Sequence, residues 1–149
     1  TITDEQALEV INSYRTRINE ATYRHQDALK ELNNYHTAAI LIQDRDPEVR
    51  KACIAVDEDF AKELVNDHDM SVRLACLEAI DCVDELVNDH EVEIRKACAR
   101  YYEGATQLIN DEDPEVRKIC AEHYQCASGL VNDIDKGVRS IAKITVERW

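Results

Sequence analysis

The chain has 149 residues, of which 33% are charged and 44% hydrophobic, and it contains only three glycines and two prolines. This composition favours helices over strands, and the length suits one folded domain. The net charge of −13 argues against direct binding to nucleic-acid phosphates, and no apolar run approaches the ~20 residues of a membrane-spanning helix.

The first 40 residues predict a helical cap. Thr3, followed three residues later by Gln6, matches a capping box, in which the two side chains satisfy free backbone N–H groups. No helix breaker follows before Asn33-Asn34, so we expect a long helix or a helical hairpin over residues 1–40 that covers the end of the next segment. A weak seven-residue apolar spacing supports an alternative, a homodimer formed through this helix.

Residues 41–149 are dominated by a motif that occurs in five copies. The fourth copy, residues 108–120, reads Leu-Ile-Asn-Asp-Glu-Asp-Pro-Glu-Val-Arg-Lys-Ile-Cys. The leading leucines are spaced by 23 residues once and by 22 residues three times, and they are Leu41, Leu64, Leu86, Leu108 and Leu130. A fixed period of this length is typical of stacked repeat proteins. We therefore expect five repeats that form one continuous domain with the cap.

Each copy carries the pattern of a helix that begins at the second acidic residue of a turn. In Asp46-Pro47 the aspartate is a good helix cap and the proline suits the first helical position. Apolar or small residues follow at helical spacing, as from Val49 through Cys53 to Val56, which predicts one buried stripe. A shorter α-helix or 3₁₀ segment should lead to the next turn, over residues 57–65, 81–87, 104–109 and 126–131.

The pattern Asp-x-Asp-Pro-Glu-Val-Arg-Lys-x-Cys-Ala, with a leucine pair closing each copy, resembles the short end of the HEAT-like repeats, and particularly the variant leucine-rich repeats. The resemblance covers about residues 41–145. It implies an all-α fold, a right-handed α-solenoid of about five 22-residue repeats. One such family carries an iron–sulfur cluster in a cysteine-rich N-terminal region, but no cysteine precedes Cys53 here, so the resemblance gives no support for a cofactor.

Acidic and arginine side chains recur at fixed positions of the motif. The first acidic position of each turn, which we call the acidic edge, holds Asp44, Asp67, Asp89, Asp111 and Asp133. The second is a predicted helix cap at Asp46, Asp69 and Asp113, and the recurring arginines are Arg50, Arg73, Arg95, Arg117 and Arg139. An arginine beside each acidic pair predicts a ladder of hydrogen bonds and ion pairs. The alternative, a row of cation sites, is weaker because two carboxylates per turn fall short of the about six to eight oxygens that Ca²⁺ takes, so we expect no metal.

The six cysteines are predicted to be reduced core residues. Four of them share one position of the motif: Cys53, Cys76, Cys98 and Cys120. Stacked helices lie about 8–10 Å apart, which exceeds the ~7 Å between Cα atoms that a disulfide tolerates. A weaker alternative is an oxidisable pair across a turn, formed by Cys76 with Cys82 or by Cys120 with Cys126. No nucleophile-elbow, phosphate-loop or zinc-protease motif occurs, so we predict that the protein is not an enzyme.

The histidines do not suggest a metal site. His68 and His90 occupy equivalent turns, and residues in successive layers should lie about 10 Å apart, too far to share one metal ion. We expect both to be exposed. His123 falls on the apolar stripe at the position of Tyr101 and is predicted to be a half-buried packing residue.

An aromatic cluster on the third and fourth copies is the predicted binding patch, because Tyr and Arg often anchor interfaces. The binding patch consists of Arg100, Tyr101, Tyr102, Glu122, His123 and Tyr124. The alternative is that its tyrosines are partly packed between the layers. We expect a cytoplasmic, non-catalytic module that binds a protein with a basic surface and neither nucleic acid nor membrane. The alternative is an inhibitor, viral or from a mobile element, that imitates nucleic acid with the −14 charge of residues 41–135 and occupies the groove of a DNA- or RNA-binding enzyme.

Overall fold

The computed structural model describes residues 3–19 and 35–149. Within these ranges every regular element is an α-helix and no strand is present, which confirms the all-α class. The chain divides into two compact units, Thr1–Ile80 and Asp81–Trp149, and each is described by itself. The predicted helix break at Asn33-Asn34 lies outside the described residues.

The first unit begins with the capping box that the sequence predicts. The backbone N–H of Thr3 donates to Oε1 of Gln6 over 2.9 Å, and the N–H of Gln6 donates to Oγ1 of Thr3 over 3.2 Å. The helices described in this unit are α1 (Asp4–Asn19), α2 (Tyr35–Leu41), α3 (Pro47–Val56), α4 (Asp59–Leu64) and α5 (Met70–Ala79). Helix α3 packs against α2 and α5, and α4 packs against α3 and α5.

The second unit repeats this alternation of a longer and a shorter helix. Its helices are α6 (Val83–Leu86), α7 (Val92–Ala99), α8 (Tyr102–Leu108), α9 (Pro114–Ala121), α10 (Tyr124–Ala127) and α11 (Lys136–Glu147). Helix α9 lies against α7 on one side and α11 on the other. The short segments α6, α8 and α10 are all α-helical, which answers the question that the sequence left open.

Helices α3, α5 and α9 begin where the motif places an aspartate. The side chain of Asp46 accepts a hydrogen bond from the N–H of Glu48 over 2.9 Å, and Asp113 does the same from the N–H of Glu115 over 2.7 Å. Asp69 accepts from the N–H of Ser71 over 2.8 Å. These bonds satisfy backbone donors that the first turn of a helix leaves free.

The buried stripe of the longer helices is confirmed at its first and third positions. Both positions are fully or almost fully buried in every copy, and they are Val49 and Cys53, Val72 and Cys76, Ile94 and Cys98, Val116 and Cys120, and Val138 and Ala142. The fourth position departs from the prediction in the third copy, where Tyr101 is 44% exposed. Helix α7 ends at Ala99, so Tyr101 leaves the stripe and becomes the extended residue before α8.

Two of the short helices begin earlier than the sequence predicts. The segment expected from Gly104 starts at Tyr102, and the one expected from Cys126 starts at Tyr124. In both cases the preceding residue has an extended backbone, which ends the longer helix and allows a new one to begin immediately. No glycine or proline marks these breaks in the sequence.

Candidate functional site

The arginine of the motif bridges two copies in the first unit. Arg50 donates from Nε to Oδ2 of Asp67 over 2.7 Å and from Nη2 to Oδ1 of Asp67 over 2.9 Å. Its Nη1 donates to the backbone carbonyl of Asp44 over 2.6 Å. The side chains of Arg50 and Asp67 are each only 5% exposed. A two-point ion pair of this kind, held out of water, fixes the geometry of two successive turns.

The same contact recurs twice in the second unit. Arg95 binds both carboxylate oxygens of Asp111 over 2.8 and 3.2 Å, and Arg117 binds both oxygens of Asp133 over 2.8 and 3.1 Å. Each guanidinium also reaches a carbonyl of the preceding turn: Arg95 donates to Asp89 over 3.0 Å and Arg117 donates to Asp111 over 2.7 Å. Arg73 and Arg139 make this carbonyl bond to Asp67 and Asp133, each over 2.7 Å.

The acidic edge is largely withdrawn from solvent. The side chains of Asp67, Asp89, Asp111 and Asp133 are 5 to 8% exposed, and Asp44 is also buried. One oxygen of each accepts the N–H of the residue two positions later, over 2.8 to 2.9 Å. These carboxylates therefore hold the turns and are largely shielded from solvent.

The arginine contacts keep two of these carboxylates ionised. Burial by itself would raise the pKa of Asp67, but the hydrogen bonds from Arg50 and from the N–H of Asp69 outweigh it, and the pKa lies below its ordinary value of 3.8. The hydrogen bonds from Arg117 lower the pKa of Asp133 in the same direction, against a smaller effect of burial. Both groups are negatively charged at neutral pH.

Acid should therefore destabilise the protein through these two aspartates. A carboxyl whose folded-state pKa is depressed contributes stability that is present above its unfolded pKa of about 4 and is lost as the pH falls through the folded value. We expect Asp133→Asn to lower the free energy of unfolding at neutral pH, and this deficit to shrink below about pH 4. Urea denaturation of both proteins across this range measures it. A deficit of constant size down to about pH 3 would contradict the assignment.

Exposed acids also occur on the short helices, which the sequence does not single out. In the first unit Glu58, Asp59 and Glu63 are exposed at the start and along α4, and in the second unit the exposed acids include Asp84 and Glu85 of α6. Lys62 pairs with Asp59 over 2.7 Å at the surface. The sequence does show this distribution, because the acids avoid the apolar positions of each short helix.

The three tyrosines of the binding patch, all in the second unit, have exposed side chains. Tyr101, Tyr102 and Tyr124 are 44, 47 and 48% exposed. Tyr101 directly precedes α8, Tyr102 begins it, and Tyr124 begins α10, so all three lie where a short helix starts. Arg100 and Glu122 are exposed in the residues just after α7 and α9. His123 is half-buried, with Nε2 2.9 Å from the carbonyl of Ala99, in agreement with the packing role predicted for it.

A groove beside this patch was not predicted as a site. It encloses about 380 Å³ and is lined by Glu122, Ile141, Ile144, Thr145, Arg148 and Trp149. Trp149 is 84% exposed and its ring centroid lies 5.9 Å from that of Tyr124, while Ile144 is 49% exposed. From the sequence alone, Trp149 is expected only to close the last helix. The sequence does contain one signal for this groove. Ile141 and Ile144 are apolar but lie on α11 outside its buried stripe of Val138, Ala142 and Thr145.

The cysteines are buried and have free thiols. Burial raises the pKa of Cys53, Cys98 and Cys120 to about 12 and that of Cys82 to about 11. The thiol of Cys53 is also bonded to the carbonyl of Val49 over 3.3 Å. Thiols in this state are poor nucleophiles, because the thiolate is the reactive form.

We therefore expect the six thiols to resist a water-soluble disulfide reagent in the native protein. Labelling at neutral pH should proceed only as fast as the protein opens, and all six should react rapidly in denaturant. Counting the released chromophore with and without denaturant measures this. Rapid labelling of one native cysteine would identify a thiol whose surroundings differ from those described.

Metal ligands are not gathered within the described ranges. No cluster of three or more His, Cys, Asp or Glu side chains there is arranged to hold an ion. The side chains of His68 and His90 are 86 and 79% exposed, as the sequence predicts. Among the helices described, none is long and apolar enough to cross a membrane.

Comparison with known proteins gives no family for the chain. No protein-family model, no curated protein and no solved structure matches it. The similarity to HEAT-like and variant leucine-rich repeats therefore stays a prediction from the motif.

Proposed function

We propose that this protein is a non-catalytic protein-interaction module that binds its partner through the second unit. The observation that carries the proposal is the group of half-exposed tyrosines at Tyr101, Tyr102 and Tyr124, next to an open groove that ends at Trp149. Aromatic side chains of this kind supply large contact areas at small cost in conformational entropy, and they dominate many interfaces. The cysteines, by contrast, are buried and protonated, which suits packing better than catalysis.

We further propose that the helices form a right-handed α-solenoid of about five repeats. Its support is the recurrence of one bonding pattern, in which an arginine joins the aspartate of the next copy in the Arg50–Asp67, Arg95–Asp111 and Arg117–Asp133 pairs. Solenoids hold such inward contacts constant and vary the outward residues, which then define the binding surface.

The partner that we propose is a cytoplasmic protein with a basic surface. The chain has a net charge of −13. Exposed acids at the short helices, such as Glu58, Glu63 and Glu85, attract a basic surface at separations up to about one Debye length. Binding should therefore weaken as salt is added.

Self-association through the helical cap, residues 1–40, is the alternative. Analytical ultracentrifugation of the full chain tests it.

A capture experiment tests this function. The tagged full chain is incubated at low salt with a lysate of the source cells, with and without excess duplex DNA, and the bound proteins are identified by mass spectrometry. A specific protein that is retained in the presence of DNA supports the interaction module. If no protein is enriched over a tag-only control, the proposal fails.

Imitation of nucleic acid is a second candidate because exposed carboxylates occur at the start of α4, at Glu58 and Asp59, and on α6, at Asp84 and Glu85. It is weaker than first expected from the sequence, since the acidic edge is buried and bonded to arginines. If the protein imitates nucleic acid, the capture experiment should retain enzymes that act on nucleic acid, and excess duplex DNA should displace them.

A further inference from the structure

The groove at the end of the second unit combines apolar lining residues with two charges of opposite sign. Ile141 and Ile144 of α11 contribute aliphatic surface, and Trp149 adds an indole that is 84% exposed. Glu122 and Arg148 line the same groove, and neither has an ion-pair partner among the described residues. A volume of about 380 Å³ is large enough for a bulky side chain of a partner.

The charges restrict what fits the groove. A purely apolar occupant would leave Glu122 and Arg148 without partners as water is displaced, which costs free energy. An occupant that sets a basic residue against Glu122 and an acidic one against Arg148 satisfies both. The tilted Tyr124–Trp149 pair also offers aromatic surface to a cation.

A second copy of this chain is a poor occupant. Two molecules that each carry a net charge of −13 repel each other at low ionic strength. A segment that is basic overall is instead attracted to the acidic chain before it reaches the groove.

We propose that the groove lined by Glu122, Ile141, Ile144 and Trp149 binds an amphipathic helix of another protein, basic overall, which inserts a bulky apolar side chain over the isoleucines and pairs a Lys or Arg with Glu122. This inference rests on the proposed function and specifies its partner. A helix whose apolar face lies in a groove is one of the established modes of peptide recognition.

Trp149 makes the proposal directly measurable, because it is the single tryptophan of the chain. The first probe is a synthetic helical peptide of about 15 residues with leucines on one face, arginines on the other and one glutamate. A second peptide replaces the arginines by glutamate, and a third replaces the leucines by serine. Each is titrated into the full chain while the emission of Trp149 is recorded.

We expect the first peptide to shift the emission of Trp149 to shorter wavelength with saturation, and the other two to bind at least about tenfold more weakly. Glu122→Lys and Ile144→Ser should each weaken the first peptide by about tenfold or more. The matched control is Glu58→Lys, which makes the same change of charge at an exposed position of the first unit and should weaken binding by less than about threefold. The substituted residues are exposed, so circular dichroism should confirm that all variants remain folded.

Three results would overturn the groove assignment. These are equal binding of the acidic peptide, equal weakening by Glu122→Lys and Glu58→Lys, or a concentration-dependent emission shift of the protein alone, which would indicate a second copy. A captured partner that still binds Ile144→Ser with unchanged affinity would refute the groove and leave the interaction function intact. Failure to capture any partner would refute the interaction function itself.

Discussion

Replacing Arg50 by alanine is expected to destabilise the first unit by about 3–5 kcal/mol. The guanidinium makes two bonds to the carboxylate of Asp67 and one to the carbonyl of Asp44, with both charged side chains only 5% exposed. Its removal leaves a buried carboxylate without its cation, and this uncompensated charge dominates the loss. Denaturant titrations followed by circular dichroism give the difference in the free energy of unfolding.

Lys62→Ala is the matched control for the Arg50 variant. It also removes one cation from the first unit, but the Lys62–Asp59 pair is more than 60% exposed on both sides, and such a pair contributes at most about 1 kcal/mol. Arg50→Lys keeps the charge but loses the two-point geometry, so its stability should lie between that of the wild type and that of Arg50→Ala. If Arg50→Ala and Lys62→Ala differ by less than about 1 kcal/mol, the buried ion pair does not have the structural role assigned to it.

Gly104→Ala is expected to destabilise the second unit by about 3 kcal/mol or more. A Cβ at this buried position would lie 2.1 Å from the carbonyl oxygen of Cys98 and 2.6 Å from its carbon. Both atoms belong to the backbone at the end of α7, so no side-chain rotation relieves the clash, and α8 must move away from α7. Thermal and urea unfolding of the variant measure the loss.

Gly137→Ala provides the control for this substitution. Its Cβ would lie 2.6 Å from Cε of Lys118, the far end of a flexible side chain that can move into solvent. The position is at the start of α11, where alanine favours the helix by up to about 1 kcal/mol over glycine. We expect a change within about 1 kcal/mol of zero. If Gly104→Ala and Gly137→Ala lower the free energy of unfolding by similar amounts, the close approach of α7 and α8 is not the reason for a glycine at position 104.

The sequence predicts the starts of the longer helices well because their causes are local. An aspartate followed by proline and glutamate, as at Asp46 and Asp113, satisfies the first turn with its own side chain wherever the helix packs. The partner of each arginine depends on how two copies stack. The members of the ladder can therefore be identified from the sequence, but the bond from Arg50 to the following Asp67 is seen only in the structure.

The candidate site was only partly predictable for a related reason. Periodicity places Tyr101 on the buried stripe, yet α7 ends two residues earlier and turns it outward, with no glycine or proline to mark the change. The groove depends on how Glu122, which follows α9, lies relative to Ile144 and Trp149 on and just after α11. Such convergence is a property of packing between helices, which the spacing of residues along one helix does not contain.

The most direct test of the interaction function is a quantitative comparison of proteins captured by the wild type and by the double variant Tyr102→Ala/Tyr124→Ala. Leu8→Ala, which removes an exposed apolar side chain from the first unit, is the control. We predict that one set of proteins is retained by the wild type and by Leu8→Ala and is lost from the double variant, with circular dichroism unchanged. Equal capture by all three proteins would contradict an interaction that depends on the tyrosines of the second unit.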